Sequence, residues 1–298
     1  MGSYSYDDAN HLHAATFVQS ASDDYSATYD ASGNMTARAP SESQSQQKLT
    51  WDNEGRLTAW QNAPSSPTST AQYLYDGEGN RVEQQTASGG TTTTTVYVGD
   101  LESVATTGGA TTTTTYFYAA GQRIALAVNG TLSYLASDLL GSATVALNTS
   151  GTPTASQLYA PYGGARYSNG TMPTDYGFTG QRADASTGLD YYGARYYDPT
   201  LGQFASADTV LDGLNRYGYV GGNPISYIDP SGMMSVDAPE LIGEQPGKVD
   251  TTVTDDVGDP SGGDGTGGGP SLGNPDITLW QDFEVSGGFL GYTNVSSG

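Results

Sequence analysis

The sequence has no cysteine, and its 298 residues hold only 10 lysines and arginines against 32 aspartates and glutamates, a formal charge of −22. Without cysteine there are no disulfides, thiolate metal sites or cysteine nucleophiles, so rigidity has to come from packing and hydrogen bonds. Only Lys48 and Lys248 represent lysine. A chain this acidic repels phosphate backbones and anionic lipid, which excludes nucleic-acid and membrane-surface partners. No stretch approaches the roughly 18 consecutive apolar residues of a membrane-spanning helix. Met1 to Asn10 has no basic region followed by an apolar run, so no export signal is expected there. Apolar residues make up 36% of the chain and 22 of these are tyrosines, so tyrosine must supply much of any core. Scarce lysine, absent cysteine and abundant serine and threonine suit an extracellular or cell-surface setting.

The chain is repetitive. Tyr6-Asp7-Asp8-Ala9-Asn10-His11-Leu12 returns as Tyr29-Asp30-Ala31-Ser32-Gly33-Asn34-Met35, then as Trp51-Asp52-Asn53-Glu54-Gly55-Arg56-Leu57 and Tyr75-Asp76-Gly77-Glu78-Gly79-Asn80-Arg81. The aromatic positions lie 23, 22 and 24 residues apart, and weaker echoes follow at Tyr97 and Tyr118. A fixed period of this length decides architecture before local propensity does. Each unit reads as strand, turn, strand: the Asp carboxylate folds back onto backbone amides and the Gly supplies positive φ. Thr92 to Val98, Thr113 to Tyr118 and Arg123 to Val128 have the β-branched and aromatic content of strands and no helical period. Gly89-Gly90, Gly108-Gly109 and Asn129-Gly130 mark turns. Single hairpins are marginal in water, so consecutive ones are expected to pair edge to edge into a larger sheet.

Further signatures cluster in the second half: Leu140-Gly141-Ser142, Tyr159-Ala160-Pro161-Tyr162-Gly163, Phe178-Thr179-Gly180-Gln181 and the run from Gly188 to Pro199. Gly202-Gln203-Phe204, Asn215-Arg216-Tyr217-Gly218-Tyr219, Asn223-Pro224 and Asp229-Pro230-Ser231-Gly232 complete them. Over roughly residues 4 to 233 the chain resembles the rearrangement hot-spot (Rhs) or YD-repeat family with its repeat-associated core. The resemblance implies an all-β fold in which YD-repeat hairpins pair into a coiled or spiral antiparallel sheet with an irregular C-terminal tail. It further implies a hollow shell that encloses a toxin or effector in larger relatives. The corresponding division is YD-repeat hairpins over 1–130, the associated core over 131–233, an acidic Gly-rich linker over 234–270 and a strand-like segment over 271–298. Met233 to Glu244 allows one short helix, and Ile277 to Val285 resumes strand alternation as a single strand able to add to an open sheet edge.

The resemblance also implies a site. Two Asp-Pro-x-Gly segments near the end of the family's core are associated with self-cleavage after the second, in the manner of an aspartic protease acting in cis. Carried over, Asp208 and Asp229 are the catalytic pair and the cut follows Met233. Such chemistry needs two carboxylates close enough to share one proton. The match departs from the pattern in several places: Thr209, Val210 and Leu211 follow Asp208, Gln203 stands where Arg is usual, and Met233 replaces Leu. The alternative is that Asp198-Pro199, Asn223-Pro224 and Asp229-Pro230 initiate turns.

Other features weigh toward structure. Asp76-Gly77-Glu78-Gly79-Asn80 alternates oxygen ligands, but an EF-hand needs Gly at the sixth position and Glu at the twelfth, where Arg81 and Ala87 stand. His11 and His13 share a strand face without a third ligand. No cofactor or metal is expected. Sequons at Asn34, Asn129, Asn148, Asn169 and Asn294 are glycan candidates in an exported protein. The expected function is a structural shell module acting by assembly or enclosure. The alternatives are a self-assembling fibre or tube subunit and the autoproteolytic core. Expected partners are further copies or other YD-repeat chains joined through open sheet edges.

Overall fold

A computed structural model describes residues 3–19, 24–41, 44–210 and 214–238, together with two short strands, Glu284–Ser286 and Phe289–Gly291. Met1–Gly243 is one compact unit and Glu244–Gly298 another.

Sixteen strands of the first unit form one antiparallel sheet in strict chain order. They are β1 (Ser3–Ser5), β2 (Phe17–Gln19), β3 (Tyr25–Tyr29), β4 (Met35–Ala39), β5 (Gln47–Trp51), β6 (Leu57–Gln61), β7 (Ser69–Tyr75) and β8 (Arg81–Ser88). These continue as β9 (Thr91–Val98), β10 (Glu102–Thr107), β11 (Ala110–Ala119), β12 (Gln122–Val128), β13 (Thr131–Ser137), β14 (Ala143–Leu147), β15 (Pro153–Tyr159) and β16 (Ala165–Asn169). The three segments read as strands from their composition lie within β9, β11 and β12. A twisted sheet of this many strands curls rather than staying flat.

Two turn chemistries join the strands. In the YD loop, Asp30 Oδ1 accepts the amides of Ser32 and Asn34 at 2.9 Å each, and Gly33 adopts φ +87°. Asp52 and Asp76 repeat the pattern. Each loop ends in a one-residue register shift, at Thr28/Tyr29, Thr50/Trp51 and Leu74/Tyr75. Such a bulge bends the strand and raises its twist. Asp138 and Asn148 build the same loop, which the sequence pattern had not singled out. In 160–164 the backbone closes identically although Ala160 has no carboxylate: the Ala160 amide bonds the Gly164 carbonyl at 2.7 Å and the Gly163 amide bonds the Ala160 carbonyl at 2.9 Å. The second type is a two-residue turn with both φ positive, at Gly89-Gly90, Gly108-Gly109, Ala120-Gly121 and Asn129-Gly130. Its twist matches that of the flanking strands. The earliest repeat differs: Asp8, not Asp7, caps its turn, accepting the Asn10 amide at 2.8 Å.

One face of the sheet covers the segment that follows it. Tyr25, Ala27, Met35, Leu49, Leu57, Trp60, Ala71 and Tyr73 alternate inward and pack on Leu189, Tyr196, Leu201 and Ala205. Tyr116, Leu126, Leu135, Ala146 and Ala155 do the same around Tyr176. The covered segment has its own four-stranded sheet, β17 (Arg182–Asp184), β18 (Leu189–Tyr191), β19 (Tyr196–Asp198) and β20 (Gln203–Phe204). Phe178, Tyr192, Tyr197, Phe204 and Tyr219 form an aromatic cluster within it, Tyr197 and Tyr219 having ring centroids 4.7 Å apart.

Val236–Asp237 is extended and pairs with Tyr227–Ile228. The helix allowed from Met233 therefore does not form there, because the chain meets a strand before a helical turn can close. Residues 239–244, the Gly-rich stretch and Asn294 lie outside the described residues. At the C-terminal end, Glu284–Ser286 pairs with Phe289–Gly291, so the strand expected to stand alone is one arm of a hairpin; residues 277–283 lie outside the described ones.

Candidate functional site

Three of the few cations of this chain, Arg38, Arg81 and Arg182, are buried where the sheet meets the segment it covers. Arg38 of β4 pairs with Asp198 of β19, both side chains essentially without solvent exposure. Tyr25 donates to the same carboxylate at 2.8 Å, while Arg38 also donates to the Thr187 carbonyl and to Gln47 Oε1. Arg81 of β8 pairs with Asp184 of β17 at 2.7 Å and bonds the Tyr196 hydroxyl at 3.1 Å. Its guanidinium lies over Tyr73, Tyr97 and Tyr191, the last at 4.5 Å. Arg182 runs the other way, from the covered segment toward the sheet, stacking on Tyr97 at 4.3 Å and pairing with Asp175 at 2.6 Å. Breaking such a buried pair from one side leaves a charge stranded in low dielectric, so these residues fix where each part of the sheet sits on its core.

The expected Asp208–Asp229 pair is brought to one place. Both aspartates are buried, and Arg195 Nη2 lies 3.5 Å from Asp208 Oδ2 and 3.7 Å from Asp229 Oδ2. Arg195 also stacks on Phe204 at 3.7 Å and donates to the carbonyls of Arg216 and Gly232. Asp229 Oδ1 accepts the amides of Ser231, Gly232 and Met233 at 3.1, 2.8 and 3.2 Å. Burial lifts the Asp229 carboxyl above its ordinary range, opposed by those amides and by Arg195. Gly232 has φ +75°, and a Cβ there would come within 2.9 Å of the Tyr192 carbonyl oxygen. Residues 229–233 are thus clasped on several sides. Met233 emerges at the wall of a groove of about 740 Å³, shared with Trp51, Glu54 and Arg216. Chemically, Arg195 gives the two carboxylates a common ionic partner but offsets only one of their two charges, whereas a catalytic dyad needs the carboxylates to share a proton.

Turn roles account for neighbouring residues. Asp198 Oδ1 accepts the Thr200 and Leu201 amides at 2.9 and 3.3 Å, and the Asn223 carbonyl accepts the Tyr227 amide. Gln203 is buried, its Oε1 3.4 Å from the Ala15 amide. Asp76 collects donors, namely two backbone amides and the Asn80 side-chain amide, where a calcium loop would collect oxygens. His11 Nδ1 lies 3.1 Å from Asp8 Oδ2, and His13 is exposed. Asn34 is buried with its amide donating to Asp30 Oδ2, while Asn129 and Asn169 are exposed and Asn148 half-buried. Sequence reasoning did not single out Arg38, Arg81, Arg182 or Arg195. The available signal was that an acidic chain with eight arginines holds several of them among Tyr-rich segments.

The Teneurin YD-shell family model matches residues 107–219. The toxin subunit YenC1 of Yersinia entomophaga is 39% identical over 112 residues, covering 35% of this chain and 11% of that one. Salivary gland surface protein 1 of Aedes aegypti is 40% identical over 81 residues, 26% of this chain and 2% of that one. Among solved structures, TcdB2-TccC3 superimposes with TM-score 0.56 at 21% identity, covering 78% of this chain and 16% of that one. The Tc holotoxin pore of Photorhabdus luminescens gives TM-score 0.56 at 23% identity over 74% of this chain. At those identities the likeness is one of fold. This chain spans only about a tenth of the toxin subunit's length. The fold is a continuous antiparallel wall laid over its own core, and residues 107–219 of it match the YD-shell model. Over these residues the chain is similar to Rhs/YD-repeat proteins.

Proposed function

We propose that this chain is a structural YD-repeat shell module of a secreted or surface-associated protein, acting by assembly and enclosure. The observation that carries this reading is the sheet itself: sixteen strands in chain order, one face covering the segment that follows and clamped to it by buried arginines. Relatives that are toxin subunits support the enclosing role. Partners would join at β1 and β16, the two edges of the sheet; all five residues of β16 are exposed. Paired edges satisfy backbone groups that are otherwise left to water. Glycans, if added, would suit Asn129 and Asn169.

A concentration series by light scattering with electron microscopy tests this. Association that grows with concentration and is weakened by Tyr167→Lys on β16 is expected. A strict monomer at high concentration contradicts the edge-joining part.

A second reading draws on the convergence of Asp208 and Asp229 at Arg195: self-cleavage after Met233. Intact mass separates the two. The shell reading expects 30.9 kDa after prolonged incubation, unchanged by Asp229→Asn. A fragment ending at Met233, abolished by that substitution, would establish the protease.

A further inference from the structure

A cavity of about 270 Å³ lies where β15–β16 meets β17–β18. Phe178, Leu189 and Pro199 give it apolar walls, and Tyr159 adds an aromatic face, its ring 5.9 Å from that of Phe178. One acidic side chain lining it has no partner. Asp190 is 6% exposed, makes no side-chain hydrogen bond, and has only negative carboxylates, Asp184 and Asp198, acting on it. Their own cations are committed, Arg81 to Asp184 and Arg38 to Asp198. Two neighbouring phenols are engaged elsewhere: Tyr197 donates to the Tyr162 carbonyl at 2.9 Å, and Tyr192 bonds Thr179 at 2.9 Å. A buried carboxyl left without a donor is costly, and structures retain such groups where something else satisfies them.

We propose that this cavity binds a small organic ammonium ion, with Asp190 as the counter-ion and Tyr159 and Phe178 as aromatic walls. An ammonium supplies the missing donors, and aromatic faces attract a cation in a desolvated site. A metal ion fits less well, since it needs several oxygen ligands and no such cluster of three occurs among the described residues. An anion would meet a carboxyl. The net charge of −22 draws cations toward the molecule. Burial, then repulsion from Asp184 and Asp198, holds the Asp190 carboxyl well above its ordinary range, which favours its protonated form when no cation faces it. Entry of an ammonium ionises it, and the proton leaves to the buffer.

Isothermal titration of the full chain with isobutylammonium chloride at pH 7, in two buffers of different ionisation enthalpy, tests this directly. One saturable site is expected, with proton release on binding and no binding of isobutanol. Asp190→Asn should weaken binding at least about tenfold. Ala183→Leu starts from the position paired with Asp190 on the same sheet face; it should fill the cavity and remove binding with an unchanged far-ultraviolet spectrum, and it decides the matter if the Asn variant does not fold. No saturable binding, equal binding of isobutanol, or undiminished binding by a folded Asp190→Asn or Ala183→Leu variant would overturn the proposal.

Discussion

Gly33 and Gly79 occupy the same position of the YD loop, with φ +87° and +90°, yet they differ in what surrounds them. A Cβ on Gly33 would lie 2.5 Å from the Tyr217 hydroxyl, whereas one on Gly79 meets nothing within 4 Å. Gly79→Ala should therefore cost about 1 kcal/mol of backbone strain, and Gly33→Ala clearly more because Tyr217 also loses its 2.9 Å bond to the Gly33 carbonyl. Urea unfolding of the two variants checks the order. Asp190 provides a pH test at the same scale. Its folded-state pKa is raised, so above the ordinary carboxylate value of about 3.9 the folded chain holds a proton that the unfolded chain has lost. Stability falls as pH rises through that window. Asp190→Asn removes the loss, so the variant should be more stable than the parent at pH 7, with the difference shrinking toward pH 4. A difference independent of pH would contradict the assignment.

At the scale of elements, the Tyr-Asp spacing reveals hairpins because the carboxylate and the glycine make the loop locally, within five residues. That is why Asp30, Asp52 and Asp76 could be read directly. The loop at Ala160 could not, since its backbone bonds and Gly163 close it without the signature side chain. Nor could the destinations of the arginines be read: Arg38 meets Asp198, and Arg81 meets Asp184, more than a hundred residues away. The same applies to Asp208 and Asp229, where family likeness named both carboxylates but gave no sign of Arg195 between them. Position in a period says which face a residue takes and nothing about which distant charge it finds. Arg81→Ala strands Asp184 in the core and should cost about 3–5 kcal/mol. The double variant Arg81→Met, Asp184→Leu should recover most of that, as a double-mutant cycle by chemical denaturation will read. Additive losses would mean that the pair does not couple the sheet to its core.

For the whole molecule, the sheet packs its inward face into two hydrophobic clusters that it shares with the covered segment, and the covered segment adds an aromatic cluster of its own. They should unfold together. The measurement that bears most directly on this is native-state hydrogen exchange read peptide by peptide. The account predicts that amides of β3 to β15 and of residues 182–204 share one slow opening, and that Arg81→Ala accelerates both sets in common. Fast, independent exchange of 182–204 beneath a protected sheet would contradict it.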